Sequence, residues 1–215
     1  MIFQPRDAAL LRWINGFGFA SAEQITRYMG VYKATAYTRI KKLIDHGYLD
    51  RKRILHGQGR IHILTKKGIL ACSDHIRPVG DIRLGTFLHD LALVDLALDL
   101  SEATGGEFIP QRRLRHDEGL SGVGHFGRVS DGYLHLKGED KPIAIELELS
   151  VKARSRLNSI ITDYGSDLSV KEIWYFCHDQ SVKCAVEKAS KGYSFIKVFN
   201  RADIPKITKE VRHYG

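Results

Sequence analysis

No apolar run in this 215-residue chain comes near the ~18 residues that a membrane span requires, which removes a transmembrane reading. The first residues, Met1 to Trp13, lack a basic stretch followed by an apolar one, so no secretory signal is read there. Cysteine is scarce. Cys72, Cys177 and Cys184 stand far apart or at a spacing of seven, and none forms a Cys-x-x-Cys pair. That excludes a structural zinc site and a disulfide framework, and it predicts reduced thiols buried in apolar segments. The expected location is the cytoplasm, with no membrane partner. The remaining composition, 43% hydrophobic and 27% charged, is ordinary for a globular protein.

Acidic residues are scarce in one half only. Up to Gly85 the chain has 15 Lys and Arg against six acids, a net charge of +9; the other 130 residues carry −1. A basicity confined to one part of a chain points to a polyanionic partner for that part.

Within the basic part, Leu10, Leu11, Ile14 and Phe17 recur at helical spacing and predict a helix over Arg6–Asn15. Ser21 with Gln24 three residues on is a capping-box signature for a second helix, which Gly30 closes. A third helix is predicted over Lys33–His46, with Ala36, Ile40, Leu43 and Ile44 on its buried stripe and Gly47 at its end. Two short helices joined by a tight turn, the second longer and basic, form the helix-turn-helix pattern. Strands over Asp50–Leu55 and Arg60–Leu64 follow, separated by His56-Gly57-Gln58-Gly59, and Thr65 restarts a helix through about Ser73. This order resembles the winged-helix regulators of the MarR and PadR type, and Lys41 to Leu49 is similar to the exit of their third helix.

A recognition helix fits the major groove, where its outward residues reach base edges. Here those are Lys33, Thr35, Tyr37 and Thr38, with Arg39, Lys41 and Lys42 placed for phosphates or bases. Arg51, Lys52, Arg53, His56 and Arg60 on the hairpin are expected to neutralise phosphates or enter the minor groove. The expected partner is double-stranded DNA.

Arg77-Pro78-Val79-Gly80 has linker composition. The expected organisation is a winged helix-turn-helix over 1–76, a linker over 77–83 and a second domain over 84–215. In that second part a helix is predicted over Leu84–Thr104, then a strand over Glu107–Arg113 and a glycine-rich stretch over His116–Gly127. Strands follow over Arg128–Leu136 and Pro142–Ser150, a helix over Val151–Tyr164, and a strand, helix and strand over Glu172–Phe176, Ser181–Ser190 and Ser194–Phe199. The class is a mixed α/β domain behind an α+β one.

Alternation in Ile143 to Ser150 sends the aliphatics to one face and Glu146, Glu148 and Ser150 to the other. Carboxylates two residues apart on a strand lie roughly 7 Å apart and repel unless a cation or proton intervenes. Asp131 starts the preceding strand, and hairpin pairing brings it toward Glu146 in some registers. Oxygen ligands converging from adjacent strands suit Mg²⁺. This half resembles the PD-(D/E)xK nuclease superfamily, whose core shares the order αβββαβ, the restriction-endonuclease-like architecture. Ser130-Asp131-Gly132 stands in place of its Pro-Asp, and Glu148 stands where the superfamily has lysine. Lys152 lies close enough along the chain to substitute. The resemblance therefore implies Asp131, Glu146, Glu148 and Lys152 as a site, with Asp131, Glu146 and Glu148 as Mg²⁺ ligands if that site is active; otherwise no cofactor is expected.

A winged helix followed by Leu88-His89-Asp90-Leu91-Ala92-Leu93-Val94-Asp95 and then this degenerate nuclease-like part resembles the replication-relaxation family. Its members are accessory proteins of plasmid and integrative-element mobilisation, related to MobC-type and TcpK-type relaxosome components. The resemblance implies a protein that binds DNA near a transfer origin and helps organise relaxase or replication proteins, or a transcriptional regulator. A homodimer is expected because winged helices often pair to meet successive major grooves. A Mg²⁺-dependent endonuclease and a protein-interaction module without DNA binding are the alternatives.

Overall fold

The structure, a computed structural model, describes residues 2–119, 129–152, 154–164 and 169–204. Its class is mixed α and β, with eight α-helices and two β-sheets among the described residues. None of the described helices is long and apolar enough to cross a membrane. The described residues divide into two compact units: those up to Leu98 with Arg112–119, and Asp99–Gln111 with those from 129 onward.

In the first unit, helix α1 (Pro5–Phe17) opens on Pro5, which lacks an N–H that would have no helical partner there anyway. The Asp7 carboxylate accepts the Gln4 backbone N–H at 2.7 Å. After strand β1 (Ala20–Ser21), α2 (Ala22–Met29) starts with the capping box expected from sequence: Ser21 Oγ accepts from Gln24 N, and Gln24 Oε1 accepts from Ser21 N. Gly30 ends α2 in the left-handed conformation. Helix α3 (Lys33–Asp45) buries Ala36, Ile40 and Leu43. Strands β2 (Leu49–Lys52) and β3 (Ile61–Leu64) pair antiparallel, with Leu49 opposite Leu64, and β1 covers the other edge of β3. Helix α4 (Lys66–Cys72) is capped by Thr65, whose Oγ1 accepts from Gly68 N. Gly68 is required by proximity: a Cβ there would lie 2.2 Å from the Tyr48 carbonyl oxygen.

Leu10, Leu11, Ile14, Ile25, Ile40 and Leu43 form the main core of this unit, which also takes Val94 and Leu98 of α5 (Leu84–Thr104). Phe87 of α5 stacks on Phe19 and packs with Ile61 and Ile63. The expected second domain begins at residue 84, whereas the first compact unit runs to Leu98, with Val94 and Leu98 in its core.

The second unit is built on one five-stranded sheet. Strands β4 (Glu107–Pro110), β5 (Gly132–His135) and β6 (Ile143–Glu148) run antiparallel in that order, and β7 (Glu172–Cys177) and β8 (Ile196–Asn200) continue it in parallel. The parallel crossovers contain α7 (Arg154–Tyr164) and α8 (Gln180–Ala189), which cover one face of the sheet through Leu157, Ile161, Val182 and Val186. Gly132 faces Pro110 across the β4–β5 ladder, and a Cβ there would meet the Phe108 ring at 2.3 Å. Packing thus explains the glycine of Ser130-Asp131-Gly132.

Several elements depart from expectation: β1 is an added strand, β2 ends at Lys52 rather than Leu55, and α7 begins at Arg154 rather than Val151. The strand predicted over Glu107–Arg113 stops at Pro110, and α6 (Gln111–Asp117) follows. Pro110 has no N–H for a continued ladder. Its neighbour Gln111 donates its amide side chain to Val129 O at 2.7 Å, while Arg113 forks onto Asp74 at 2.9 and 3.0 Å. Residues 120–128, most of the glycine-rich stretch and the start of the strand predicted from Arg128, lie outside the described residues.

Candidate nucleic-acid interface

Helix α3 buries Ala36, Ile40 and Leu43 and packs Ile44 against the core, which leaves the positions between them to face outward. Lys33, Thr35, Tyr37, Thr38, Lys41 and Lys42 are all exposed. Thr38 lies between two hollows that the others, Lys33 apart, border on either side. Tyr37, Thr38 and Lys41 border a groove of about 660 Å³ whose far wall is the β2–β3 hairpin, through Arg51, Arg53 and Arg60. Thr35, Lys42 and Arg39 border a smaller hollow of about 380 Å³ with Arg6 of α1 and Met29 of α2. His56 is exposed in the hairpin turn and Lys52 is half-buried on β2.

Arg39 is not a freely presented cation. Its Nε donates to Asp7 Oδ1 at 2.6 Å and its terminal amine pairs with Oδ2, with side-chain exposures of 13% for Arg39 and 1% for Asp7. Tyr37 also has a partner. Its hydroxyl donates to Glu23 Oε1 at 2.8 Å, and the Lys33 ammonium lies 5.5 Å from its ring centre. That hydrogen bond holds the Glu23 carboxyl below its ordinary range and pushes the Tyr37 phenol up.

Sequence reasoning passed over Glu23 and His62, which line the same groove. His62 sits in an Ile-His-Ile-Leu strand whose alternation alone assigns it to a solvated face. In the structure β3 is the central strand of its sheet, and His62 is 4% exposed. Burial lowers its imidazole, and the nearby Arg51 charge lowers it further; the Ala20 backbone and Glu23 act in the opposite direction.

In the second unit, the carboxylates picked out in sequence are held by different groups. The Asp131 Oδ2 accepts the Leu147 backbone N–H at 2.8 Å, so Asp131 does sit beside the β5–β6 ladder. Glu146 accepts a hydrogen bond from the Tyr164 hydroxyl of α7, and Glu148 pairs with Lys152 Nζ. Glu146 and Glu148, expected on a polar side of their strand, are 4% and 3% exposed. The reason is that β6 lies mid-sheet and its Ala144–Glu146–Glu148 face is the one that α7 and α8 cover. Cys177 pairs with Glu148 across the β6–β7 ladder; burial, then the Glu148 charge, pushes its thiol up to about 12. Among the described residues, no group of three or more His, Cys, Asp or Glu is placed to hold a metal ion.

Comparison with known proteins leaves this geometry to stand by itself. The chain matches no family model, no curated protein and no solved structure. The short motif read at His89 and Asp95 is occupied locally: His89 Nδ1 lies 3.5 Å from Asp90, and Asp95 lies 3.9 Å from Arg27.

Proposed function

We propose that this chain is a duplex-DNA-binding accessory protein of a mobile element, with a winged helix-turn-helix as its first unit. In this reading α3 enters the major groove, Lys33, Thr35, Tyr37 and Thr38 reach base edges, and the β2–β3 hairpin is the wing. The observation that carries it is the grouping of Lys41 from α3 with Arg51, Arg53 and Arg60 from the hairpin around one groove. Lys41 stands 10 to 19 positions before the three arginines in sequence, and four cations on one concave surface attract a polyanion strongly.

The second unit is the holding part, a restriction-endonuclease-like domain that makes homodimer contacts or recruits relaxase or replication proteins in the cytoplasm. The pairing of Glu148 with Lys152 and of Glu146 with Tyr164 supports holding over cutting, since both carboxylates are engaged by groups of the chain itself. The replication-relaxation family is the resemblance that fits this combination.

The test is selection of bound sequences from random duplex DNA, followed by salt titration of the enriched site. Each phosphate contact contributes about 0.9 to the slope of log K against log salt. Replacing Arg51, Lys52 and Arg53 together with Ala should therefore flatten the slope by about two to three. An unchanged slope removes the hairpin from the interface, and failure to bind duplex at low salt removes the DNA reading. Cleavage of the bound site with Mg²⁺ that is lost in Asp131→Ala replaces holding with cutting.

A further inference from the structure

The groove between α3 and the hairpin holds one group that a simple array of surface cations does not need. His62 lines it from β3, is 4% exposed, and has a buried Nδ1 with no hydrogen-bond partner. A buried ring nitrogen without a partner carries a desolvation cost that a ligand can relieve.

The surroundings define that ligand. Arg51 stands opposite His62 across the β2–β3 ladder, and Arg53, Arg60 and Lys41 line the same groove. The acids facing it are Glu23 at the start of α2 and Asp45 at the end of α3, with the Tyr37 hydroxyl already given to Glu23. On the far side of β3, Ala20 of β1 pairs with His62. Four cations outnumber two acids, so the groove favours an anion, and several cations around one cavity suit a segment of polyanion better than a lone monoanion.

We propose that this groove seats a backbone phosphate of the bound DNA and that His62 is its innermost ligand, donating a hydrogen bond from a protonated Nδ1 to a phosphate oxygen. The inference rests on the DNA reading of this face and adds a proton to it. In the free protein the dry, Arg51-flanked ring is neutral at pH 7, because its imidazole is lowered. A phosphate brings a negative charge and an acceptor, so the ring takes one proton from solvent as the DNA binds. By linkage, affinity then falls as pH rises, by up to about tenfold per pH unit between the ring's free and bound ionisation points.

Calorimetric titration of the full chain with its selected duplex, in two phosphate-free buffers of different ionisation enthalpy, counts that proton. The expected result is uptake of about one proton near pH 7 in the wild type, falling to near zero in His62→Gln with a flattened pH dependence of affinity. Duplex binding without proton uptake, or uptake unchanged in His62→Gln, overturns the proposal. If His62→Gln does not fold, the wild-type ring serves instead: its imidazole NMR shifts should move to the imidazolium position on adding duplex, and ring shifts that stay neutral overturn the proposal. Inorganic phosphate alone is the second arm. Conversion of the ring by phosphate but not by duplex assigns the site to a free oxyanion and overturns the DNA assignment. Absence of any duplex isotherm is a different failure, that of the DNA reading itself.

Discussion

Arg39 of α3 donates from Nε to Asp7 Oδ1 of α1 at 2.6 Å, so a cation on α3 is used to fasten that helix to the first turn of α1. Asp7 is 1% exposed and also accepts from Gln4 N. Removing Arg39 strands a buried carboxylate, a change that costs about 3–5 kcal/mol when a buried pair is broken. Arg39→Met should therefore lower the unfolding free energy by about 3 kcal/mol, whereas exposed Lys42→Ala should change it by about 0.5 kcal/mol or less. Urea unfolding followed by circular dichroism compares the two, and equal small losses would contradict the fastening role.

Asp74 makes stability depend on acid. Burial pushes its carboxyl up, but the Arg113 fork and the Asn15 amide overcome that and leave it below its ordinary range. A carboxyl lowered in the folded state contributes stability that is present above its unfolded value of about 3.9 and lost as pH falls through its folded value. Asp74→Asn should cost about 3 kcal/mol at pH 7, and the gap to wild type should narrow below about pH 4. Denaturant titrations at several pH values measure the gap; a constant gap would mean that Asp74 acts by shape alone.

Glu23 is, with Asp45, one of two acids in a groove that Lys41, Arg51, Arg53 and Arg60 also line. Glu23→Gln removes a charge that repels phosphate, so duplex affinity should rise several-fold at low salt and converge with wild type at high salt. The same substitution removes the hydrogen-bonded carboxylate that raises the Tyr37 phenol, so tyrosinate absorbance should assign Tyr37 a value closer to its ordinary one. Fluorescence anisotropy across a salt series reads the first effect, and an affinity that falls would identify Glu23 as a base-reading group.

The three thiols should separate cleanly. Cys184 is exposed, while Cys72 and Cys177 are buried; burial raises both buried thiols, Cys177 to about 12. Thiolate is the reactive form, so a chromogenic disulfide reagent at pH 8 should label one thiol in the folded protein and all three in denaturant. Rapid labelling of two thiols without denaturant would show local opening of one unit.

Where the signals were local, the sequence was readable. The Ser21–Gln24 capping box, the Gly30 stop and the 21-residue span of α5 are written within a few residues or in one continuous periodicity, and each stands where it was read. The hairpin and its basic residues were legible for the same reason. Alternation located Glu146 and Glu148 on one face of a strand, but it has no term for what covers that face. Only the parallel partner β7 and the helices α7 and α8 make it a buried one. The strand predicted through Arg113 failed at Pro110 because residues beyond it satisfy their polar groups with Asn15, Asp74 and Val129, far away in the chain.

The sequence by itself determined the charge asymmetry, the start and stop of α2 and the basic surface of α3, because charge, capping and periodicity act between near neighbours. The tertiary structure decided which cations remain to meet a ligand. Arg39 is drawn inward by Asp7 across 32 positions, and His62 becomes a buried base only when β1 and β2 close around β3. Burial and pairing depend on what the fold brings from elsewhere, and desolvation turns the same residue types into fasteners or into ligands.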